Sequence, residues 1–339
     1  MADTKWIQFG GTGTGNWSDA NHWDNGVPDS TKNAIFDASS FNGAGQVVTV
    51  DASADCLDMD WTGATNSPTL AKGNFPLSTY GNATFLNSMA LTSTGDYLIF
   101  RGNCSLVTNG LQLCSICTLG AANLSLTENL NLGTSQLAPA TGTLTTNNFN
   151  ITCGPLSRFG AGNVTISLGS SVISCSSFNL VSGVTVVTLD AGTSTINVSG
   201  TGTFNGNSLT YNIVNLTGSA HTITGSNTFA SLVLPAATTQ TITFTDGTTQ
   251  TATTFTLSGD ATHQHTLKGS AAAGWNLVKA GGGVTNADYV TLSNSHATPV
   301  RTFRAGTGSV NKGDNGGWTF VGKEAWSPNS IKALQAGVL

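Results

Sequence analysis

The sequence predicts an all-β protein, and three observations lead to that class. Only 9% of the 339 residues are charged, whereas solvated helices need Glu, Lys and Arg in quantity. Glycine is abundant, with 41 residues, and Glu occurs only at positions 128 and 324. Short segments alternate apolar and polar residues with the two-residue period of a strand. We therefore expect short strands joined by glycine-rich turns.

The alternating segments recur at an interval close to the length of one β-helix rung, about 20 residues. Their first apolar residues stand 19, 19, 29, 31, 20 and 26 residues apart. We interpret the two longest intervals as rungs with inserted loops, near 160–175 and 190–207, where ligand-binding residues would lie. The predicted architecture is an elongated β-solenoid that resembles a right-handed parallel β-helix. The segments are 110–113, 129–132, 148–151, 177–180, 208–211, 228–230 and 254–257.

Tandem β-sandwiches are the alternative fold. The turns at 24–26 (DNG) and 246–248 (DGT) are compatible with the hairpins of such a fold. Hairpin turn signals do not recur at the spacing of about 8 to 12 residues that a sandwich needs, so the repeat favours the solenoid.

Aromatic residues divide the chain into predicted regions. They concentrate near both ends, which predicts an N-terminal cap at 1–45, a solenoid body at 46–269 and a C-terminal cap at 270–322. The remaining segment, 323–339, leaves the β pattern. Its Ile331, Leu334 and Val338 have helical spacing and predict a docking segment for assembly.

Charge and hydropathy exclude several classes of function. The net charge is −5 and no basic stretch occurs, so we expect no nucleic-acid partner. No apolar run approaches the roughly 18 residues of a membrane span, and the segment 1–9 lacks the features of a cleaved signal. A cap explains the glycine-rich segment 10–15 better than a nucleotide site does, and we expect no cofactor.

Six cysteines fall between positions 56 and 175 of the chain. Cys114 and Cys117 have the spacing of a zinc half-site or a redox pair, but no second pair and no neighbouring His completes a site. We therefore expect the cysteines to be small, buried, reduced core residues.

Two pairs of residues are candidates for chemistry. Asp58 and Asp60 would lie on one face of a strand, roughly 7 Å apart, within the range of an inverting glycoside hydrolase. No Lys or Arg lies within ten residues of them, which weakens a catalytic interpretation. His263 and His265 would project from one strand face, where a trimer could gather six imidazoles around a metal ion.

The two ends of the chain resemble known proteins. The N-terminal motifs resemble the cap of glycine-rich β-strand repeat proteins of phages and bacterial surfaces. The C-terminal motifs are similar to the closing segment of tailed-phage virion proteins. The N-terminal motifs are FGGTGTGNW at 9–17, NHW at 21–23, GVP at 26–28 and NAIFD at 33–37. The C-terminal motifs are TITFTDGTTQ at 241–250, WNLVKA at 275–280, DYVTLSN at 288–294, AG at 305–306 and NGGWTF at 315–320.

The resemblance implies a non-enzymatic structural protein on the virion surface, acting as tail fibre, spike or capsid decoration. It implies a homotrimer assembled in the host cytoplasm, with other virion proteins and host surface glycans as partners. A polysaccharide depolymerase that uses Asp58 and Asp60 is the first alternative. A bacterial surface adhesin is the second, against which the absence of a signal segment argues.

Overall fold

The computed structural model describes residues 2–120, 122–160, 162–181 and 186–321, and the chain divides into two compact units, Met1–Ile196 and Asn197–Leu339. Each unit consists of short parallel strands stacked in successive rungs, so the predicted β-solenoid is confirmed. A single turn of 3-10 helix, Ala20–His22, is the helical element of the described residues. None of their helices has the length and apolar character needed to cross a membrane.

Unit 1 is built from strands of two to five residues. In chain order they are β1 (Ala2–Lys5), β2 (Gly15–Asn16), β3 (Lys32–Ile35), β4 (Val47–Thr49), β5 (Ala54–Cys56), β6 (Met59–Asp60), β7 (Thr69–Gly73), β8 (Leu77–Thr79), β9 (Ala83–Thr84), β10 (Ala90–Ser93), β11 (Leu98–Phe100), β12 (Asn103–Val107), β13 (Ile116–Thr118), β14 (Asn123–Leu126), β15 (Leu130–Asn131), β16 (Leu137–Pro139), β17 (Gly142–Thr145), β18 (Ile151–Thr152), β19 (Pro155–Ser157), β20 (Val164–Ser167), β21 (Val172–Cys175), β22 (Ser177–Asn179) and β23 (Val187–Asp190).

The division between the units falls within β24 (Thr195–Val198). Unit 2 then contains several longer strands, the longest of seven and eight residues. In chain order its strands are β25 (Gly202–Asn205), β26 (Thr210–Leu216), β27 (Ala220–Thr224), β28 (Thr228–Val233), β29 (Thr241–Phe244), β30 (Thr249–Thr256), β31 (His265–Gly269), β32 (Trp275–Lys279), β33 (Thr285–Ala287), β34 (Val290–Leu292), β35 (Ser295–Thr298), β36 (Phe303–Ala305), β37 (Val310–Asn311) and β38 (Trp318–Phe320).

The strands of unit 1 form three faces. The first face is the sheet β1-β3-β6-β9-β12-β14-β17-β20-β23, and the third is β5-β8-β11-β13-β16-β19-β22. The second face is split into β2-β4-β7-β10 and β15-β18-β21. The strands of unit 2 also form three sets, which are β25-β27-β29-β31-β34-β37, β26-β28-β30-β32-β35 and β33-β36-β38.

Aligned apolar columns hold the rungs together. On the third face of unit 1, Leu98 pairs with Ile116, and Ile116 pairs with Leu137 in the next rung. All three side chains are fully buried. The same column continues through Leu156 to Phe178, with successive members 18 to 22 residues apart. The repeat close to 20 residues therefore reflects one circuit through the three faces.

The predicted alignment of the longer rungs is wrong. Ile151 pairs with Ile173 on the second face, whereas Phe178 lies on the third face. The 29-residue interval between the segments 148–151 and 177–180 therefore separates residues that lie on two different faces. The inserted loops expected at 160–175 and 190–207 are also wrong, because the strands β20, β21, β24 and β25 take up about half of these segments and leave only short turns between them.

Aromatic clusters are present in both units, as the sequence predicts. In unit 1, the ring of Trp61 stacks on Phe36 with a centroid distance of 3.6 Å. Trp6 stacks on His22 at 4.6 Å, and Trp17 packs edge-on against Trp23 at 5.1 Å. In unit 2, Trp275 stacks on Phe244 at 3.7 Å and Phe303 packs against Trp318. The expected docking residues Ile331, Leu334 and Val338 lie outside the described residues.

Candidate functional sites

The glycine-rich segment near the N-terminus is part of the aromatic cluster of unit 1. A Cβ added to Gly15 would lie 2.2 Å from Nε2 of His22, and one added to Gly13 would lie 2.3 Å from the Ser40 carbonyl oxygen. The Trp6 indole N–H donates to the Gly13 carbonyl at 2.9 Å. These glycines are required because the His22 ring at Gly15 and the Ser40 backbone at Gly13 leave no room for a Cβ.

Asp58 and Asp60 flank the buried Met59, so both carboxylates lie on the outer side of the first face. The Asp58 carboxylate accepts the N–H of Asn82 at 2.6 Å in the neighbouring rung. The Asp60 carboxylate accepts the N–H and the hydroxyl of Thr62 at 2.8 and 2.7 Å, which closes a turn. Both groups therefore have a structural partner, and their catalytic role stays a prediction.

The carboxylate of Asp51 joins two segments that are distant in the sequence. It accepts the N–H and the hydroxyl of Ser18 at 3.1 and 2.6 Å. Burial opposes ionisation of this group, but the hydrogen bonds from Ser18 outweigh it and hold the pKa of Asp51 below its ordinary value. Asp51 is thus suited to remain an ionised acceptor and is poorly suited to act as a general acid.

The expectation that His263 and His265 project from one strand face is wrong. His265 begins β31 and is fully buried, with its ring nitrogens 3.1 Å from the carbonyl oxygens of Leu257 and Thr238. His263 lies outside the strand in a turn, where its Nδ1 is 2.9 Å from the Asp260 carboxylate. Among the described residues, no group of three or more His, Cys, Asp or Glu side chains is placed to hold a metal ion.

All six cysteines are buried and carry free thiols, as the sequence predicts. Burial raises the pKa of the Cys117 and Cys153 thiols to about 12. Burial also raises the pKa of Cys114, the other member of the two-residue spacing. Neutral, buried thiols are poor nucleophiles and poor metal ligands, so these side chains serve the core.

The structure contains a cleft that the sequence analysis missed. It lies in unit 1 at the corner between the second and third faces and has a volume of about 510 Å³. One wall comes from β10 and Gly95, and the other from 112–115 and 134–136. The described residues that line it are uncharged, and several carry hydroxyl or amide groups.

The aromatic side chain of Tyr97 adjoins this cleft. Its hydroxyl donates to Oε1 of Gln136, a lining residue, at 2.8 Å, and its ring lies 5.3 Å from the ring of Phe159. Phe159 is 38% exposed. The polar lining of the cleft is thus connected through Gln136 to a pair of aromatic rings beside it, of which Tyr97 is half-buried.

The chain matches no protein-family model, no curated protein and no solved structure.

Proposed function

We propose that the protein is a non-enzymatic structural protein of a tailed-phage virion surface, acting as fibre, spike or capsid decoration. One observation carries the proposal. The two candidate catalytic carboxylates accept backbone N–H groups within a stack of parallel rungs. Asp58 and Asp60 join or close parts of the solenoid. A body of this kind supplies a stable, extended set of surfaces and does not depend on a reactive group.

The motifs that carry the resemblance to phage proteins support the proposal. Trp17, Trp23 and Phe36 belong to three of the N-terminal motifs, and all three are buried in the aromatic cluster of unit 1. Their ring centroids lie 5.1 to 6.1 Å from one another. The motifs therefore specify one packed structure, which is what a shared cap requires.

The competing function is depolymerisation of a polysaccharide, which β-solenoids also support. The test is release of reducing sugars from capsular and lipopolysaccharide glycans by the purified protein and by Asp58→Asn and Asp60→Asn variants. The proposal predicts no release by any of the three proteins. Release by the unaltered chain that either variant loses would contradict the proposal and assign the carboxylates to catalysis.

A homotrimer is part of the proposal. Light scattering should give a native mass of about 104 kDa, three times the chain mass of 34.6 kDa. A mass equal to one chain would remove the trimer from the proposal.

A further inference from the structure

The cleft in unit 1 exists because the parallel ladder of the second face is interrupted. β7 pairs with β10, and β15 pairs with β18, but no backbone pair joins β10 to 111–113 in the described part of the chain. Leu113 instead donates its N–H to the Asn131 carbonyl of the next rung at 2.9 Å. The two rungs are therefore separated on this face, while their third-face strands β11 and β13 remain directly paired.

Glu128 bonds to the turn that precedes the separated segment. Its carboxylate accepts the backbone N–H groups of both Thr108 and Asn109, which begin the turn leading into 111–113. Asn109 and Gly110 have φ values of 50° and 82°, a left-handed turn that redirects the chain. The carboxylate thus ties this turn to the rung that follows, and the segment after the turn bonds to Asn131 of β15 in the same rung.

The exposed edge of β10 presents backbone groups to the cleft. Ala90 and Thr94 donate their N–H groups to Pro68 and Gly73 in the preceding rung. Successive residues of a central parallel strand bond to opposite neighbours, so the N–H and C=O groups of Leu91 and Ser93 face the cleft. Among the residues that the structure describes, Leu91 has no strand neighbour in the next rung and is half-buried, whereas its partner Leu70 is fully buried.

The opposite wall supplies polar side chains. The side chains of Gln112, Thr134 and Ser135 line the cleft and form no hydrogen bond with the described residues. Gln112 and Thr134 are exposed and Ser135 is half-buried. Together with the free edge of β10, they provide donors and acceptors on both sides of a space of about 510 Å³. This volume lies within the range of ligand sites in proteins, roughly 300 to 1,000 Å³.

We propose that this cleft binds a neutral glycan segment, with its hydroxyl groups on Gln112, Thr134, Ser135 and the β10 edge and one sugar ring against Tyr97. The uncharged lining favours a neutral ligand over an acidic one. Sugar hydroxyls both donate and accept hydrogen bonds, which matches amide, hydroxyl and backbone groups. The apolar C–H face of a sugar ring fits the aromatic surface that Tyr97 and Phe159 form.

An added peptide strand fits the cleft poorly. A strand inserted between two others needs about 4.8 Å on each side, so the two walls would have to stand roughly 9.6 Å apart along their length. The walls instead converge toward the third face, where Leu98 and Ile116 are directly paired. A wedge of this shape accepts branched hydroxyl-bearing rings more readily than a flat strand.

The inference deepens the proposed function and depends on it only for the biological setting, because the cleft belongs to the isolated chain. The experiment is affinity electrophoresis and calorimetry with neutral hexasaccharides of glucose, galactose, mannose and N-acetylglucosamine. At least one of them should bind. Gln112→Ala and Tyr97→Ala should each weaken that binding about tenfold, the equivalent of one lost contact of about 1.4 kcal/mol.

The matched control is Thr165→Ala, on the outer side of β20 in the same unit and away from the cleft lining, which should bind as the unaltered chain does. Gln112→Ala removes an exposed side chain and should leave the fold intact, so its result is interpretable even if Tyr97→Ala is unstable.

No binding by any of the neutral hexasaccharides overturns the proposal. Preferential binding of an extended Thr/Val-rich octapeptide, or of the polyanion alginate, also overturns it. If the protein binds a glycan but is absent from phage particles, this inference is supported and the proposed function is contradicted.

Discussion

The carboxylate of Asp58 accepts the backbone N–H of Asn82 at 2.6 Å and thereby joins two neighbouring rungs of unit 1. The contact depends on Gly81, because a Cβ at that position would lie 2.0 Å from the Asp58 oxygen. The side chain that most resembled a catalytic acid therefore rests on the backbone of the next rung. The Asp58 carboxylate thus serves the stacking of the rungs, which agrees with the proposed non-enzymatic function.

Replacing Asp58 should therefore reduce stability. Asp58→Ala removes a charged acceptor and leaves the Asn82 N–H without a protein partner, so the free energy of unfolding should fall by about 1 to 2 kcal/mol. Asp58→Asn retains an acceptor oxygen and should lose less. Urea denaturation measures both variants against Asp55→Ala, which alters an exposed residue of the same segment. Equal stability of the Asp58→Ala and Asp55→Ala variants would show that the rung contact contributes nothing.

A buried amide pair should be essential in unit 2. Asn227 and Gln250 are fully buried, and Nδ2 of Asn227 donates to Oε1 of Gln250 at 3.0 Å. Oδ1 of Asn227 also accepts the Ser208 N–H at 3.1 Å. Asn227→Ala leaves these buried groups unsatisfied and should lower the free energy of unfolding by about 2 to 4 kcal/mol.

The control for the amide pair is Asn276→Ala, since Asn276 is only half-buried. Thermal and urea unfolding should show a much smaller loss for this variant. An Asn227→Ala protein as stable as the control would contradict the assignment of the pair.

Acid should weaken unit 2 through His221. Burial lowers the pKa of His221 below its ordinary value of 6.5, and its Nε2 accepts the Gly218 N–H at 3.1 Å. The unfolded chain therefore binds a proton more readily than the folded chain. The stability that the neutral ring contributes is complete above about pH 6.5 and is lost as the pH falls below that value toward the lower pKa of the folded state.

Urea titrations at pH 7.5 and 5.0 measure this effect. A His221→Gln variant keeps a hydrogen-bond acceptor but does not titrate, so it should lose less stability between the two pH values. Identical losses in the variant and the unaltered chain would assign the acid sensitivity to other groups.

The thiols should be unreactive in the folded protein. All six are buried, and burial raises the pKa of the Cys114 thiol and raises that of Cys117 to about 12. A colorimetric disulfide reagent at pH 8 should modify few thiols before unfolding and six after unfolding in guanidinium without reductant. Rapid modification of Cys114 or Cys117 in the native protein would contradict their role as core residues.

A methyl group at Gly15 should disrupt the aromatic cluster. Its Cβ would meet the His22 ring, which is stacked on Trp6, so Gly15→Ala should cost about 1 to 3 kcal/mol. Gly43→Ala is the matched control, because its Cβ would make an ordinary 3.6 Å contact with the Gln46 side chain. Tryptophan fluorescence and thermal unfolding distinguish the two variants, and equal melting temperatures would contradict the packing described for Gly15.

The strands and their stacking could be predicted from the sequence, but their assignment to faces could not. Each rung passes through three similar segments in which small apolar and polar residues alternate. Phe178 and Ile151 therefore look equivalent along the chain although they belong to different faces. Only the pairing of each strand with its neighbours distinguishes the faces, and a two-residue period carries no information about it.

Strand spacing also failed to predict the geometry of the candidate sites. His263 and His265 share a strand spacing, but Asp260 and Thr262 close a turn that ends the pattern before β31 begins. The Asp-x-Thr sequence was the available signal for this turn. The turn that precedes the cleft wall is bonded to Glu128, the one Glu of the described residues, and a two-residue period gives no sign of this long-range contact.

The most direct test of the proposed virion function is the presence of the protein on purified phage particles. Particles from a lysate of the producing strain would be banded by density, washed in high salt and labelled with gold-conjugated antibodies against the purified protein. The account predicts labelling at a regular position on the tail or capsid and a fixed number of copies per particle by quantitative mass spectrometry. Protein found only in the particle-free fraction would contradict the account.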